Sequence, residues 1–228
     1  MTDQQGKRPC RLFIFDLDGT LIDSREDIVC SLNLALSRMN LSTLCEERIA
    51  DFVGDGVHKL VERALCEARG KAPDVSLIRQ GVDLFKKEYE CHLVDRTTLC
   101  HQAEEALDML AWARFAVATN KLENFSIRIL DALGIGDRFS IVIGGDSVKN
   151  RKPDPESLLK AMAFCGVLPA ETVMVGDSLV DIEAGKAAGT ITCGITGRFR
   201  PKNELERAGC DLIITRLPQL ADYFRPPE

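Results

Sequence analysis

Asp16 and Asp18 stand two residues apart in the segment Asp16-Leu17-Asp18-Gly19-Thr20, directly after a short apolar run. Two carboxylates roughly 6 Å apart repel each other by about 3 kcal/mol at an effective dielectric constant of about 20. A nearby cation or a raised pKa relieves that repulsion, and both would assist catalysis. A cation would keep Asp16 ionised as a nucleophile, and a raised pKa would let Asp18 donate a proton. Taken alone, the segment is also typical of a solvated turn.

Polar residues that suit a phosphoryl group follow two later apolar runs. Thr119 and Asn120 come directly after the run 115–118, and Lys152 lies shortly after the run 141–143. The Thr119 hydroxyl and the Asn120 backbone N–H could donate to phosphoryl oxygens, and the Lys152 ammonium would balance their charge. Taken alone, Thr119 could equally be a helix cap or loop residue, and Lys152 a solvated surface residue.

A third carboxylate, Asp177, follows another apolar run and could share a cation with Asp16. Carboxylate, carbonyl and water oxygens are the ligands that Mg²⁺ prefers in proteins. Asp181 lies three residues after Ser178, which is the spacing of a helix capping box. We therefore expect Asp181 to cap a helix or to orient the metal or Lys152, and the two roles are compatible.

Short continuous apolar runs are typical of strands buried on both faces of a parallel sheet. Helical patterns separate these runs, so the sequence predicts an α/β fold with crossover helices. The predicted strands are 12–15, 115–118, 141–143, 172–175, 191–193 and 212–214, and the predicted helices are 123–133, 155–165, 179–188 and 202–208. Ligands bind at the carboxyl ends of the strands in such sheets, so the candidate residues are expected to meet there.

Residues 24–95 interrupt this alternation with helical periodicity and little strand signal. The sequence therefore predicts a helical insertion of about 70 residues just after the first strand. Its predicted helices are 24–40, 46–52, 56–69 and 76–93. The first ten residues are expected to form a loose tail.

Composition argues against several classes of function. The formal net charge of −6 gives no reason to expect nucleic acid or a membrane surface as a partner. The nine cysteines include no C-x-x-C pair and the three histidines are scattered, so zinc-site spacing is absent. We see no apolar leader segment and no run of about 18 apolar residues. We therefore expect a cytoplasmic protein with reduced cysteines, present as a monomer or a homodimer.

Four segments, taken in order, resemble the motifs of the haloacid dehalogenase-like (HAD) hydrolase superfamily. They are the segment 15–24, Thr119-Asn120-Lys121, Lys152-Pro153-Asp154-Pro155 and Gly176-Asp177-Ser178-x-x-Asp181. The resemblance covers nearly the whole chain, and its first and fourth motifs together are highly specific. It implies a Rossmann-like parallel sheet core flanked by helices, formed by residues 1–22 and 96–228. It also implies an inserted α-helical cap domain, residues 23–95, which closes over small substrates.

The resemblance implies a two-step, magnesium-dependent phosphatase mechanism. Asp16 would attack phosphorus and form an aspartyl-phosphate, while Asp18 would protonate the leaving alcohol and then activate water. Mg²⁺ would bind the Asp16 carboxylate, the Asp18 backbone carbonyl and Asp177. Thr119 and Lys152 would hold the phosphoryl oxygens of a small anionic phosphoester.

Within the superfamily, the chain most resembles the phosphoglycolate phosphatases, chiefly in the segments 53–65, 144–146 and 181–189. The resemblance therefore favours 2-phosphoglycolate as the substrate. Arg63 in the cap is a candidate anion partner, although its helical spacing suits a solvated face equally well, and Asp55 stands where that family commonly has Asn. Alternatives on the same core are a sugar-phosphate phosphatase, a β-phosphoglucomutase-like phosphotransferase and a pyrophosphatase. A non-catalytic binding protein with a vestigial site is a further alternative, which the presence of Asp16, Asp18, Lys152 and Asp177 argues against.

Overall fold

The computed structural model describes residues 6–196 and 202–227 of the chain. The chain forms two compact units. The first unit comprises Met1–Ile22 and Leu99–Glu228, and the second comprises Asp23–Thr98. A parallel β-sheet lies at the centre of the first unit, whereas the second unit is helical.

The strands are short, and most of them belong to the first unit. In chain order they are β1 (Arg8–Pro9), β2 (Leu12–Phe15), β3 (Ile22–Asp23), β4 (Thr98–Leu99), β5 (Arg114–Ala118), β6 (Ile141–Ile143), β7 (Thr172–Gly176), β8 (Ile191–Ile195), β9 (Leu212–Ile214) and β10 (Phe224–Arg225). All six strands that the sequence predicted are therefore present.

Helices connect the strands of the first unit and make up most of the second. They are α1 (Arg25–Arg38), α2 (Glu46–Ala50), α3 (Val57–Arg69), α4 (Val75–Cys91), α5 (Ala103–Met109), α6 (Glu123–Ala132), α7 (Glu156–Cys165), α8 (Leu179–Ala187), α9 (Lys202–Ala208) and α10 (Leu220–Tyr223). Among the described residues, three short 3₁₀ turns add to these, at Gly136–Arg138, Pro169–Glu171 and Leu217–Gln219. The sequence did not predict α5 or α10.

The main sheet has six parallel strands in the order β6-β5-β2-β7-β8-β9. The strand β2 lies in the middle, and its four residues are fully buried. A strand covered on both faces has no polar side to present to water, which explains its continuous apolar sequence. The prediction of an α/β fold with a parallel sheet flanked by helices is confirmed.

Alternate residues of β2 pack on opposite faces of the sheet. Leu12 and Ile14 belong to an apolar core that includes residues of α7 and α8, such as Leu158 and Ala184. On the other face the rings of Phe13, Phe15 and Phe115 pack together, and the Phe15 and Phe115 centroids are 5.9 Å apart. These two cores hold the central strand in one register, because a slip of one residue would exchange its faces.

The predicted loose tail is wrong where it meets the core. Arg8–Pro9 pairs in parallel with Phe224–Arg225, and the Cys10 N–H donates to the Arg225 carbonyl at 3.1 Å. Residues 1–5 of the predicted tail lie outside the described residues. A two-residue strand has no periodicity that a sequence pattern could reveal.

The second unit contains the helices α1 to α4, close to the four helices predicted there. Buried Asp27 joins the beginning of this unit to its end, since its carboxylate accepts hydrogen bonds from the backbone N–H groups of Arg96 and Thr97 and from the Thr97 hydroxyl, at 2.7–3.0 Å. Arg38 of α1 forms an ion pair with buried Glu88 of α4 at 2.8 Å. No helix among the described residues combines the length and the apolar character needed to cross a bilayer.

Candidate active site

The carboxyl ends of three adjacent strands place the candidate residues in the first unit. In the register of the sheet, Phe15 lies opposite Val117 on one side and Val175 on the other. Asp16 continues this arrangement, because its backbone N–H donates to the Val175 carbonyl at 2.9 Å. Asp177 follows the end of β7 directly, and Thr119 follows the end of β5. The order of the strands thus brings residues that are far apart in the chain to one edge of the sheet.

Three buried carboxylates converge at this edge. Oxygens of Asp16, Asp177 and Asp181 all lie within 4.8 Å of one another. With the Lys152 ammonium in contact, the group carries three negative charges and one positive charge, which leaves an excess of two. Hard oxygen ligands with that excess suit a divalent cation such as Mg²⁺. Asp16 and Asp177 were candidate ligands from the sequence, whereas Asp181 was expected to cap a helix or to orient the metal or Lys152.

Lys152 lies between two of these carboxylates. Its Nζ donates to Asp16 Oδ1 at 2.8 Å and to Asp181 Oδ1 at 2.6 Å, and its side chain is 2% exposed. Burial by itself would lower the pKa of this lysine, but the two carboxylates outweigh that effect and raise its pKa above the usual value. Lys152 is therefore a fixed positive charge beside Asp16, and its contact with phosphoryl oxygens stays a prediction.

The pKa of Asp16 is raised to about 6, first because the carboxyl is buried and second because Asp181 carries a like charge nearby. Lys152 lowers the pKa of Asp16 but does not cancel these effects. Without a cation, the Asp16 carboxyl would therefore be partly protonated close to neutral pH. A bound cation would favour its ionised form.

Asp181 has both of the roles that the sequence left open. Its Oδ2 accepts hydrogen bonds from the Ser178 backbone N–H at 3.1 Å and from the Ser178 hydroxyl at 2.5 Å, at the start of α8. Its Oδ1 holds Lys152. Gly176 leaves room for this side chain, since a Cβ at that position would lie 2.4 Å from the Cβ, Cγ and Oδ2 of Asp181.

The loop that carries Lys152 is fixed by hydrogen bonds at several points. The Asn120 side-chain amide donates to the Lys152 carbonyl at 3.1 Å. Glu156 accepts from the backbone N–H groups of Lys149 and Asn150 at 2.9–3.1 Å. The sequence predicted a helix over residues 155–165. The helix α7 instead begins at Glu156, whose N–H is bound by the Asp154 carboxylate at 3.0 Å.

Thr119 and Asn120 are both buried at the end of β5. The Thr119 N–H donates to the Ile143 carbonyl at 3.0 Å, and its hydroxyl oxygen accepts from the Lys121 N–H at 3.2 Å. The Thr119 hydroxyl thus lies in the turn that follows the strand. The Asn120 side chain supports the Lys152 loop, which is a role that the sequence did not predict.

Lys121 is a part of this site to which sequence reasoning gave no role. Its Nζ donates to both carboxylate oxygens of Asp18, at 2.8 Å and 3.0 Å, and its side chain is 6% exposed. The Asp18 carboxylate is therefore bound by an ammonium and lies outside the group formed by Asp16, Asp177 and Asp181. The available signal was the position of Lys121 one residue after the Thr119-Asn120 pair, but a lysine after a strand is more often a solvated residue.

Arg63, the candidate anion partner, lies in the second unit on α3. Its guanidinium donates to the Phe52 carbonyl at 3.2 Å and to Asp55 Oδ2 at 2.5 Å. Arg63 is thus neutralised by a partner within its own unit, and Asp55 is the residue that stands where Asn is common in the phosphoglycolate phosphatases.

Comparison with known proteins identifies the family of this chain. The family model for haloacid dehalogenase-like hydrolases matches residues 13–195, a span that includes every motif residue discussed above. The chain therefore belongs to the haloacid dehalogenase-like hydrolase family. The resemblance inferred from the sequence motifs, and with it the expectation of a hydrolase, is confirmed.

Similar proteins carry a more specific name. A phosphoglycolate phosphatase of Chromobacterium violaceum is 34% identical over 213 residues, which cover 92% of this chain and 95% of that protein. One from Neisseria meningitidis serogroup A is 36% identical over 217 residues, or 93% and 92% of the two chains. The crystal structure of a predicted phosphoglycolate phosphatase from Haemophilus somnus 129pt has a TM-score of 0.87 at 29% identity, covering 93% of this chain and 97% of that one.

Proposed function

We propose that this protein is a Mg²⁺-dependent phosphatase that hydrolyses a small phosphomonoester, with 2-phosphoglycolate as the favoured substrate. The observation that carries this proposal is the meeting of Asp16, Asp177, Asp181 and Lys152 at the carboxyl end of the sheet, with an excess of two negative charges. Such a group can hold a divalent cation and a phosphoryl group side by side. The names of the relatives support the choice of substrate.

The reaction has two steps on this chain's own residues. An Asp16 oxygen attacks phosphorus, the bond from phosphorus to the ester oxygen breaks, and Asp18 gives its proton to the leaving alcohol. Asp18 then takes a proton from water, whose oxygen attacks the aspartyl-phosphate and releases inorganic phosphate together with the Asp16 carboxylate. Lys152 offers hydrogen bonds and positive charge to the phosphoryl oxygens, and the Thr119 hydroxyl adds a donor.

Mg²⁺ would be held by the Asp16 and Asp177 carboxylates and by the Asp18 backbone carbonyl, with Asp181 orienting Lys152 beside it. When bound, the cation would neutralise charge on the carboxylates and on the transferring phosphoryl group. The second unit, Asp23–Thr98, corresponds in its place in the chain to the cap that the family resemblance implies. We propose that this unit determines which phosphoester is accepted.

The test is the substitution Asp16→Asn, which keeps the shape of the side chain but removes the nucleophile. Phosphate release from 2-phosphoglycolate with Mg²⁺ should fall by at least about 10⁴-fold, as removal of a nucleophile does in other covalent enzymes. Phosphoenzyme should form in the wild type and be absent from the variant in mass spectra of rapidly quenched protein. The control is Asp137→Asn, which makes the same change at an exposed carboxylate of the same unit. Substantial turnover by Asp16→Asn would reject the nucleophile.

A screen over small phosphoesters separates the substrates that this core could accept. We expect the highest kcat/KM for 2-phosphoglycolate, and we expect chelation of Mg²⁺ to abolish all activity. A preference for sugar phosphates or pyrophosphate would move the assignment to the corresponding enzyme on the same core. Transfer of the phosphoryl group to a sugar without phosphate release would identify a mutase, and a flat, weak profile would reject 2-phosphoglycolate but leave a phosphatase.

A further inference from the structure

The ion pair of Lys121 and Asp18 is a partly buried contact that the proposed reaction does not explain. One ammonium binds both oxygens of one carboxylate, at 2.8 Å and 3.0 Å, and the side chains are 6% and 14% exposed. Taking two charged side chains largely out of water is costly unless their geometry is good, so this pair calls for an explanation. Two bonds from one donor also restrict rotation of the carboxylate about its own axis.

Both residues of this pair extend from a fixed backbone. The Lys121 N–H donates to the Thr119 hydroxyl at 3.2 Å, and its carbonyl accepts the Gly145 N–H at 2.8 Å. Asp18 forms a β-bridge with Ile22, and the N–H of the next residue, Gly19, donates to the Ile22 carbonyl at 2.8 Å. Main-chain hydrogen bonds therefore fix the backbone from which the Lys121 side chain extends.

The Asp18 carboxylate lies close to a proposed ligand of the cation, although its proposed role is proton transfer. Asp18 lies two residues from Asp16 in the chain, and the two carboxylates repel each other. A carboxylate beside Asp16 could turn to the same cation, because carboxylate oxygens are among the ligands that Mg²⁺ prefers in proteins. A carboxylate bound to a metal can no longer take or give a proton at the substrate.

We infer that Lys121 is a positioning residue: by binding both oxygens of Asp18 it keeps that carboxylate turned toward proton transfer and away from the cation. This inference rests on the proposed function, since it concerns the general acid/base of the same reaction. It divides the acidic residues of the site into two sets. Asp16, Asp177 and Asp181 share Lys152 and the cation site, whereas Asp18 has its own lysine.

The variant Lys121→Met removes the ammonium but keeps most of the length and volume of the side chain. With Mg²⁺ and 2-phosphoglycolate, kcat should fall by about 10- to 100-fold with little change in KM, which is part of the 10²–10⁴-fold that general acid–base catalysis contributes. Phosphoenzyme should accumulate, as it should in Asp18→Asn, because water is no longer activated efficiently. Calorimetric titration should show several-fold tighter Mg²⁺ binding, because Asp18 becomes free to join the ligands.

Three further variants separate positioning from other roles. Lys121→Arg keeps the charge and two donors and should recover a large part of kcat. Lys186→Met makes the same change at an exposed lysine whose ammonium binds the Ala208 carbonyl, and it should leave kcat unchanged. The double variant Lys121→Met with Asp18→Asn should be no more than about twofold slower than Asp18→Asn alone, because residues that act as a unit are non-additive.

Several outcomes would overturn the inference. If the two substitutions multiply their effects, Lys121 acts on the substrate directly. If Lys121→Met turns over like the wild type, or if its Mg²⁺ affinity does not rise, the lysine has no positioning role. If Lys121→Met does not fold, Lys121→Gln takes its place under the same criteria. If the wild type itself releases no phosphate, the proposed function fails and takes this role with it, whereas every other outcome leaves the phosphatase intact.

Discussion

Lys152 has a closely defined environment in the site. Its ammonium lies between Asp16 and Asp181 and is almost completely buried, while Ser178 and Gly176 fix the Asp181 side chain from the other side. The consequence is a positive charge whose place does not depend on substrate. A charge fixed in advance stabilises a transition state without the cost of reorganising during the reaction.

The raised pKa of Asp16 predicts that Mg²⁺ binding depends on pH. The proposed cation would bind the ionised Asp16 carboxylate, whose pKa in the metal-free protein is raised to about 6 by burial and by the charge of Asp181. The affinity for Mg²⁺ should therefore be nearly constant above about pH 7 and fall by about tenfold per pH unit below the pKa. Calorimetric titration from pH 5 to pH 8 measures this, and an affinity that stays level down to pH 5 would contradict the raised pKa.

The residue types at this site were predictable, but several of their contacts were not. Asp16, Thr119 and Asp177 each follow an apolar run, and parallel strands bring such positions together. The contact between Lys121 and Asp18 depends on the direction of a long, flexible side chain, which the order of residues does not determine. Asp181 contacts both Ser178 and Lys152, and the second contact depends on the position of a lysine side chain that comes from a different loop.

The loop between β6 and α7 carries Lys152. Hydrogen bonds to the Glu156 carboxylate hold this loop in place. Glu156 accepts hydrogen bonds from two backbone N–H groups of the loop and pairs with Lys160 at 3.1 Å. At its other end the loop packs closely on the turn after β5, since a Cβ at Gly145 would lie 2.6 Å from the Asn120 carbonyl oxygen. These contacts make the loop an extension of the sheet edge.

Glu156 should contribute stability that depends on pH. The backbone N–H groups of Asn150 and Lys149, together with Lys160, lower the pKa of Glu156 from 4.5 to about 2. A carboxyl whose pKa is lower in the folded state stabilises the protein above the unfolded value of about 4.5, and this contribution declines as the pH falls toward 2. Glu156→Gln should therefore lower the urea midpoint at pH 7, with a smaller difference at pH 3.5.

The matched control for this prediction is Glu183→Gln, an exposed glutamate on α8. It should change the urea midpoint little at either pH. A difference between wild type and Glu156→Gln that is equally large at pH 3.5 and pH 7 would mean that the hydrogen-bonding shape of Glu156 matters and its charge does not.

At the scale of elements, long and regular patterns were predicted well and short ones were not. The strand β2 and the helices α3, α6 and α7 have bounds within one residue of their predicted ranges. The pairing of Arg8–Pro9 with Phe224–Arg225 was missed, because each strand has two residues and their pairing spans almost the whole chain. The helix α7 was predicted to begin at residue 155 but begins at Glu156, and the Asp154 carboxylate accepts the Glu156 N–H two residues away.

The molecule as a whole consists of two compact units, and the whole carboxylate cluster belongs to the first of them. The second unit has its own buried residues, among them Leu65 and Phe85, and its own internal ties through Asp27 and Glu88. A ligand stabilises the structure to which it binds. Stabilisation by a cation should therefore be distributed unevenly along the chain.

Hydrogen exchange provides the corresponding test. Mg²⁺ should slow amide exchange in β2, β7 and α8 of the first unit, while amides of α3 and α4 in the second unit should exchange at unchanged rates. The size of the effect should follow the ratio of Mg²⁺ concentration to its dissociation constant. Asp177→Asn is the control, because it removes a proposed ligand and should reduce the protection. Equal protection in both units would contradict the assignment of the cation to the first unit alone.

The central position of β2 in the sheet also has a consequence for biosynthesis. The ribosome makes Leu12–Phe15 before its neighbours β5 and β7, which follow roughly 100 and 160 residues later, with the second unit in between. At about 5–20 residues per second, this apolar strand waits at least about 5–20 s for its first partner. Asp23–Thr98 is fully synthesised before then, so the nascent chain contains the whole second unit while β2 still lacks its neighbouring strands. The interval in which a chaperone would be most useful is thus set by the order of strands in the sheet.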